Sequence, residues 1–528
     1  MSETPTNLAG LLEYQARELR DKSFLLFEDQ EISFEALNAN ANRAANALAK
    51  LGVQAGQGVS IMMTNAPEWL YMHFGVQKLN AYSVPVNTGL KGEGLKHIIN
   101  HSDSSVLVID DIFIAAISDI RDDLAGLETI IVNAGQGVSV PEGWLTLADI
   151  LAQESAENPA VEIRDGEINM LQYTSGTTGL PKGVVSRYKS QPSFASFFTS
   201  FLQPEDVMYT CLPLFHANAL GITTMSALAG GNTLALSKRF SASRIWDEIR
   251  RYKATTFNAL GAMITILLKQ PERDADSDNT VRIVLSAACP TSEWEAFEER
   301  FGLTLHEAYG SVDGGGFRVL NAADAPVGSI GRPVDPYRLV DDDENDVMAG
   351  ESGELIFEVD DMALRKVEYY KNEEASSAKI VDGWLRTGDM LHADEAGNLY
   401  FDDRKTDSLR RRGENISAWE VEREINRHEA VFESAVIGVK SELGEDDVMA
   451  FVVLQPNSTL SAEELIAHCE PLMASFMIPR FIEFRSEFPK TETHRIQKSV
   501  LKSEGIGPAT WDRDAEHVVH EMTGKRAK

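Results

Sequence analysis

Thr174, Ser175, Thr177 and Thr178 set four hydroxyls among Gly176, Gly179 and a Pro181-Lys182-Gly183 ending. The residues just before them, 168–173, read as a buried strand. Hydroxyls and bare backbone N–H groups at a strand end form an anion cradle suited to a polyphosphate. The glycines let the backbone take positive φ and come close to a ligand, and Lys182 adds a cation within reach of a phosphate. A polar surface loop also uses Ser, Thr and Gly, but rarely so many hydroxyls closed by Pro-Lys-Gly. An ordinary P-loop is excluded. It needs Gly directly before Lys and Ser or Thr directly after, and here Pro181 and Gly183 take those places.

Other stretches carry chemistry in the same order along the chain. Leu212–Ala219 includes Phe215 and His216. The small-residue turn Ser286-Ala287-Ala288-Cys289-Pro290 ends an apolar run, and Tyr309-Gly310-Ser311-Val312-Asp313 follows. Asp382-Gly383-Trp384-Leu385-Arg386-Thr387-Gly388-Asp389 ends on a carboxylate, an acceptor with two oxygens. Asp403-Arg404 comes next, then Arg410, Arg411 and Arg412 before Gly413. Three adjacent guanidiniums matter in a chain of net charge -32, since arginine matches phosphate geometry. In this order the stretches resemble the motifs of the adenylate-forming superfamily: acyl-CoA synthetases, luciferases and peptide-synthetase adenylation domains. The resemblance runs to about Lys498. Lys238–Ser243 and Arg251–Thr255 are more loosely similar to the long- and very-long-chain acyl-CoA synthetase branch.

The resemblance implies a function, cofactors and a set of site residues. The chain would be an acyl-CoA ligase that joins a carboxylic acid to AMP and passes the acyl group to coenzyme A, using ATP (or a ready-made acyl-adenylate) and Mg2+. Thr174, Ser175, Gly176, Thr177, Thr178 and Lys182 would hold the ATP phosphates. Ala288 and Tyr309 would flank the adenine, Asp389 would accept both ribose hydroxyls, and Arg404 would reach ribose and α-phosphate. Asp313 would hold the metal. His216 and Arg495 would face the carboxylate, and Phe215, Asn258, Gly261 and Gly314 would line the acyl pocket. Arg410, Arg411, Arg412 and Gly413 would meet coenzyme A, with Thr406 at the hinge, where relatives carry Asp or Lys. Small pocket residues leave volume, which suggests a bulky or long apolar acid.

The chain departs from the family at three places. Relatives end Pro-x-Thr-x-Ser-Gly-Lys-Ile-x-Arg, whereas here His494-Arg495 replaces the Gly-Lys. A planar guanidinium and a compact ammonium are not equivalent. Val312 replaces a threonine that contacts the α-phosphate, and Asp313 is one methylene shorter than the usual glutamate. All three fall on adenylation, where losing one charge-stabilising donor costs roughly 100- to 1,000-fold in rate. This raises the expectation of a weakened first half-reaction, with a separate adenylating enzyme as a source of adenylate. Two alternatives stay open: transfer to a carrier protein or amine, and a non-catalytic adenylate-binding protein.

Elements that would position these residues are legible too. Phe34, Leu37, Ala41, Ala44 and Leu48 repeat at helical spacing between Ser33, a capping residue, and Gly52. Apolar runs at 58–63, 82–86, 106–109, 129–132 and 281–285 read as strands, and 69–79 as a helix. Strands alternating with helices imply a parallel sheet covered on both faces, with ligands beyond the strand carboxyl ends. The expected fold is α/β. A large N-terminal domain, 1–403, has mostly parallel sheets and flanking helices. A hinge spans 404–407, and a small mobile α+β domain spans 408–528. There, 420–425 reads as a helix, 435–439 and 449–454 as strands, and Ser461 with Glu464 as a capping box. The acidic run 341–346 reads as a solvated turn.

Composition sets outer bounds. At 528 residues, 43% hydrophobic, the chain can fill more than one core. The strong negative charge disfavours nucleic acid and anionic membranes as partners. Cys211, Cys289 and Cys469 are odd in number and widely spaced, so a reducing compartment is expected. No signal peptide and no apolar run long enough to span a membrane is evident, which points to the cytoplasm.

Overall fold

The structure is a computed structural model that describes residues 7–174, 180–188, 201–314, 316–321, 325–359, 367–404, 408–442, 444–489 and 496–515. These fall into two compact units. The larger runs to Asp403, apart from Gly89–Leu95 and, among the described residues, 180–181, which group with the second unit; the second otherwise begins at Arg404.

In the larger unit, β1 (Ser23–Phe27) and β2 (Gln30–Ser33) precede the strands of a seven-stranded sheet. These are β3 (Gly58–Met62), β4 (Tyr82–Pro85), β5 (Ser104–Asp110), β6 (Thr129–Asn133), β7 (Leu145–Thr146), β8 (Ile168–Thr174) and β9 (Lys182–Arg187). Their order is β7-β6-β5-β3-β4-β8-β9, and only β8–β9 is antiparallel. An eight-stranded sheet adds β10 (Val207–Thr210), β11 (Thr233–Leu236), β12 (Thr256–Leu260), β13 (Ile283–Ala287), β14 (Leu305–Ser311) and β15 (Gly316–Leu320). It runs β15-β14-β13-β12-β10-β11-β1-β2 and is antiparallel only at its two ends. A third sheet, of antiparallel pairs, holds β16 (Tyr337–Val340), β17 (Gly353–Glu358), β18 (Ile380–Val381), β19 (Trp384–Ala393) and β20 (Leu399–Arg404).

The sequence explains these elements. Val106 to Ile109 on β5 are all buried, as expected of a parallel strand covered on both faces. β8 is less buried than its sequence suggests. Only Leu171 and Gln172 are fully covered, because β8 lies beside the edge strand β9. The helix Phe34–Lys50 starts where Ser33 Oγ accepts from Ala36 N at 3.1 Å and stops before Gly52, at φ +92°. It crosses the helix Pro67–Lys78, buried along its length except at Glu68, at Gly75, where an added Cβ would sit 2.7 Å from Ala44 Cβ.

Asn65, just past β3, joins the two large sheets. Its amide donates to Leu212 O at 2.9 Å and Ser237 O at 2.8 Å, and its Oδ1 accepts from Leu214 N at 2.9 Å. Those partners follow β10 and β11, so one buried side chain fixes where the 212–217 stretch begins.

The second unit starts with the hairpin β21 (Ser408–Arg411) and β22 (Glu414–Ser417). It continues with a four-stranded sheet of β23 (Val431–Lys440), β24 (Asp446–Leu454), β25 (Phe481–Arg485) and β26 (Trp511–Asp512). The helices Ala418–Ile425 and Ala462–Cys469 pack on its core. Ser461 Oγ and the Glu464 carboxylate form the expected capping box.

Asn65→Ala leaves three backbone groups without their partner, each costing about 1 kcal/mol or more when buried. A loss of about 3 kcal/mol is expected, read as a lower denaturation midpoint with an unchanged m-value.

Candidate active site

Three neighbouring parallel strands end side by side, and their C-terminal ends carry several of the residues expected at the site. β12 leads into Gly261, β13 into the turn at Ala288, and β14 through Tyr309 to Asp313. The 288 turn is held by a buried acid. Glu307 accepts from the backbone N–H of Ala288, and again from Cys289 N at 3.2 Å. Ala288 takes φ +62°, which costs an alanine about 1–2 kcal/mol. Its carbonyl lies on Gly261, where any Cβ would meet Ala288 O at 1.8 Å.

Tyr309 Oη donates to Asp389 Oδ2 at 2.6 Å, so the two residues expected around the nucleoside meet. Asp389 reaches that point through a bulge. Five residues of β19, from Arg386 to Met390, span three of β17, from Ile356 to Glu354. Bulges of this kind re-aim a side chain. Within it Thr387 Oγ1 accepts from Asp389 N at 3.1 Å and donates to Leu355 O at 2.6 Å, while Gly388 N donates to Glu354 at 3.2 Å.

At the phosphate end, Thr174 on β8 stands directly opposite Lys182 on β9. Ser175, Gly176, Thr177 and Thr178 lie outside the described residues, as do Thr406 and Arg495; the Arg404 backbone is described but its side chain is not. The base of the loop is pinned by Tyr173. Burial raises its phenol well above the usual value, and burial lowers the imidazole of His101. The tyrosine therefore keeps its proton, and its hydroxyl shares a hydrogen bond with His101 Nδ1 at 2.8 Å. Gly183 leaves room for the Tyr173 ring, 3.1 Å from where a Cβ would stand.

Lys182 Nζ sits 5.4 Å above the ring of Tyr369. Burial and the adjacent Asp313 carboxylate raise the Tyr369 phenol, and its hydroxyl donates to Asp313 Oδ2 at 2.9 Å. Lys379 Nζ lies 3.6 Å from the same oxygen and donates to Arg386 O at 3.0 Å. Magnesium carried by ATP takes one or two protein carboxylates, with phosphate oxygens and water completing its shell. Asp313 offers one partly open carboxylate, and no group of three metal-binding side chains gathers among the described residues. This donor set fits a nucleotide-borne Mg2+. Val312 packs toward the core of the third sheet.

The 215–224 stretch begins with Phe215 and His216, expected near the acyl group. Gln172 Nε2, on β8, donates to Phe215 O at 3.2 Å; the Phe215 and His216 rings lie 4.5 Å apart. Past them a π-helix runs Asn218–Thr224, and Asn258 on β12 donates to Asn218 Oδ1 at 2.6 Å.

Two sequence expectations need correction. Gly261 and Gly314 do not open pocket volume. A Cβ on Gly314 would stand 2.4 Å from Ser311 Oγ, and the Cβ side of Gly261 is filled by the Ala288 carbonyl, so neither glycine leaves free volume where its side chain would be. The arginine run is not uniform either. Arg411 is buried, 3.0 Å from Asp447, donating to the carbonyls of Phe476 at 3.2 Å and Ile478 at 2.9 Å, so it belongs to the fold. Arg410 lies 3.7 Å from Glu445. Arg412 and Gly413 take φ +53° and +82°, the two left-handed positions of a tight hairpin turn. That turn leaves Arg412 exposed.

Sequence reasoning missed Glu307, Tyr369 and Lys379. Tyr369 meets Asp313 across 56 residues of chain, and no local spacing signals such a pair. A buried acid two positions before Tyr309 was the one clue to Glu307.

A family model described as "AMP-binding enzyme" matches residues 12–364, and one described as "AMP-binding enzyme C-terminal domain" matches 420–495. The chain is 33% identical over 511 residues to a crotonobetaine/carnitine–CoA ligase of Salmonella choleraesuis (strain SC-B67), covering 91% of this chain and 96% of that one. Among solved structures it is similar to the anthranilate CoA ligase AuaEII in complex with anthranoyl-AMP (TM-score 0.72, 30% identity, covering 95% and 98%). It is also similar to a double mutant of o-succinylbenzoate CoA synthetase from Bacillus subtilis bound with a product analogue (TM-score 0.80, 25% identity, covering 95% and 99%).

Arg412→Ala is expected to raise the KM for coenzyme A several-fold and leave the melting temperature unchanged. Arg411→Ala is expected to cost about 2–3 kcal/mol by stranding buried carbonyls. Thioester kinetics and thermal melts on the two variants check this separation.

Proposed function

The chain belongs to the AMP-binding enzyme family and is an acyl-CoA ligase, and we propose that it runs the second half-reaction far more readily than the first. A carboxylate is a poor acyl donor because its leaving group is oxide. In the first half-reaction a carboxylate oxygen attacks the α-phosphorus of ATP, and pyrophosphate leaves. In the second, the coenzyme A thiolate, the reactive form of the thiol, attacks the acyl carbon and AMP leaves. The reaction takes ATP, Mg2+ and coenzyme A, and the substrate is a carboxylic acid.

The observation that carries the reading is the Tyr309–Asp389 pair at 2.6 Å. The strand of Tyr309, β14, lies next to β13, which ends in the turn at 288–290. In the proposal Asp389 accepts from the ribose, and Arg404 reaches ribose and α-phosphate. Thr174, Ser175, Gly176, Thr177, Thr178 and Lys182 hold phosphates. His216 and Arg495 face the carboxylate, and Arg412 meets a phosphate of coenzyme A. When bound, Mg2+ neutralises phosphate charge, and Asp313 is the side chain that would hold it. Residues 404–407, with Thr406, form the hinge, and 408–528 the moving domain.

Support for a weak first step comes from the residues that would stabilise charge there. Asp313 is shared with Tyr369 and Lys379, Val312 offers a methyl where a hydroxyl would serve, and Arg495 is a planar cation. We place the reaction in the cytoplasm. All three cysteines are unpaired, and among the described residues no helix is long and apolar enough to cross a membrane.

Pyrophosphate release from ATP and acid, compared with thioester formation from the synthetic adenylate of the same acid, tests the proposal. The adenylate route is expected to run about 100-fold faster, with Arg495→Lys narrowing the gap. Equal rates by both routes contradict the weak first step. A gap that Arg495→Lys leaves untouched moves its cause to Asp313 or Val312, and adenylate from a separate enzyme becomes the natural supply.

A further inference from the structure

We propose that the acyl site selects a compact acid carrying a hydrogen-bonding group, and that Asn258, Asn218 and Thr223 read that group. The inference rests on the ligase reading and names its substrate class.

The register of the eight-stranded sheet separates two sides. Asn258 pairs with Leu285, and Leu285 with His306, while Ser286 pairs with Glu307. Side chains alternate faces along a strand, so Glu307 and Tyr309 share the nucleotide face and Asn258 and Leu285 share the other. The π-helix covers that other face. Its Ile222 packs with Leu285 and Ala308, and its Thr223 meets Asn258.

The polar trio has bonding capacity left over. Asn258 is 4% exposed and Thr223 1%. The Asn258 amide nitrogen uses its two hydrogens on Asn218 Oδ1 at 2.6 Å and Thr223 Oγ1 at 2.9 Å. An amide also carries an acceptor oxygen, and a hydroxyl also donates. Among the described residues the Asn258 carbonyl oxygen, the Asn218 amide nitrogen and the Thr223 hydroxyl hydrogen have no hydrogen-bond partner. Asn258 and Thr223 are buried and Asn218 is half-buried, and a ligand group that both donates and accepts would complete the set. An alkyl chain would offer none of the three a partner.

The Cβ sides of Gly261 and Gly314 are taken by the Ala288 carbonyl and by Ser311 Oγ, so neither glycine adds volume there. Ile222, Leu285 and Ala308, with Phe317 packed on them, put an apolar patch on the same face. In this proposal the occupant is a short aliphatic or single-ring acid with a hydroxyl, amino or amide substituent.

The test measures kcat/KM for coenzyme A thioester formation with matched acids that differ by one polar group. The pairs are 2-aminobenzoate against 2-methylbenzoate and 4-hydroxybutanoate against pentanoate, with hexadecanoate as the long-chain probe. Each is given both as free acid with ATP and as its synthetic adenylate. The polar member is expected to win at least one pair by about 10-fold or more, the size of one unmet buried hydrogen bond. Asn258→Leu, nearly isosteric, and Asn218→Ala, at the less buried end, are expected to bring that ratio close to 1 with the KM for ATP unchanged. A faster reaction of the apolar members or of hexadecanoate overturns the proposal, as does a preference that survives in whichever variant folds. Failure of every acid and every adenylate to give a thioester removes the ligase reading itself.

Discussion

One hydrogen bond, from Tyr309 to Asp389, ties the eight-stranded sheet to the third sheet across 80 residues of chain. Neither residue could make it alone. Asp389 needs the bulge in β19, with Thr387 and Gly388 each anchored to β17. Tyr309 needs the last turn of β14 to stand level with the turn at Ala288. The carboxylate is 5% exposed, so its charge is fixed in place before any nucleotide arrives. Acceptors set in advance cost no reorganisation during binding or reaction, which is why a bulged strand is worth its disrupted ladder here.

The rest of the site is positioned the same way, by buried polar side chains that hold backbone rather than ligand. Glu307 fixes the 288 turn, Asn65 fixes the start of the 212–217 stretch, Gln172 ties that stretch to the phosphate strand, and Tyr173 with His101 pins the base of the loop. Each crosses between elements distant in sequence. Irregular chain carrying the chemistry is thereby borrowed onto rigid sheets, whose parallel strand ends are the ordinary place for a ligand in an open α/β fold.

Much of this was legible in the sequence, and what was not has a common cause. Ser33 and Gly52, or Ser461 and Glu464, act within one helical turn, so local pattern suffices to find them. Tyr309, Asp389 and Lys182 were found because their neighbours form recognisable strings. Glu307, Tyr369 and Asn65 act through partners 18 to 172 residues away, and only the fold brings those together. Arg411 shows the converse: three identical residues in a row divide into one buried, one half-covered and one exposed, a difference set by which face of β21 meets β24. Gly261 looked like spare volume and proved to be the seat of the Ala288 carbonyl.

The central claim is that Asp389 accepts from the ribose of the nucleotide. Calorimetric binding of a non-hydrolysable ATP analogue and of its 2′,3′-dideoxy form, to the native chain and to Asp389→Asn, tests it directly. The native chain should bind the ribose form about 100-fold more tightly than the dideoxy form, as hydrogen bonds to a charged group warrant. Asp389→Asn should bind both almost equally, near the weaker value. Unchanged affinity for the ribose form in Asp389→Asn would contradict the account.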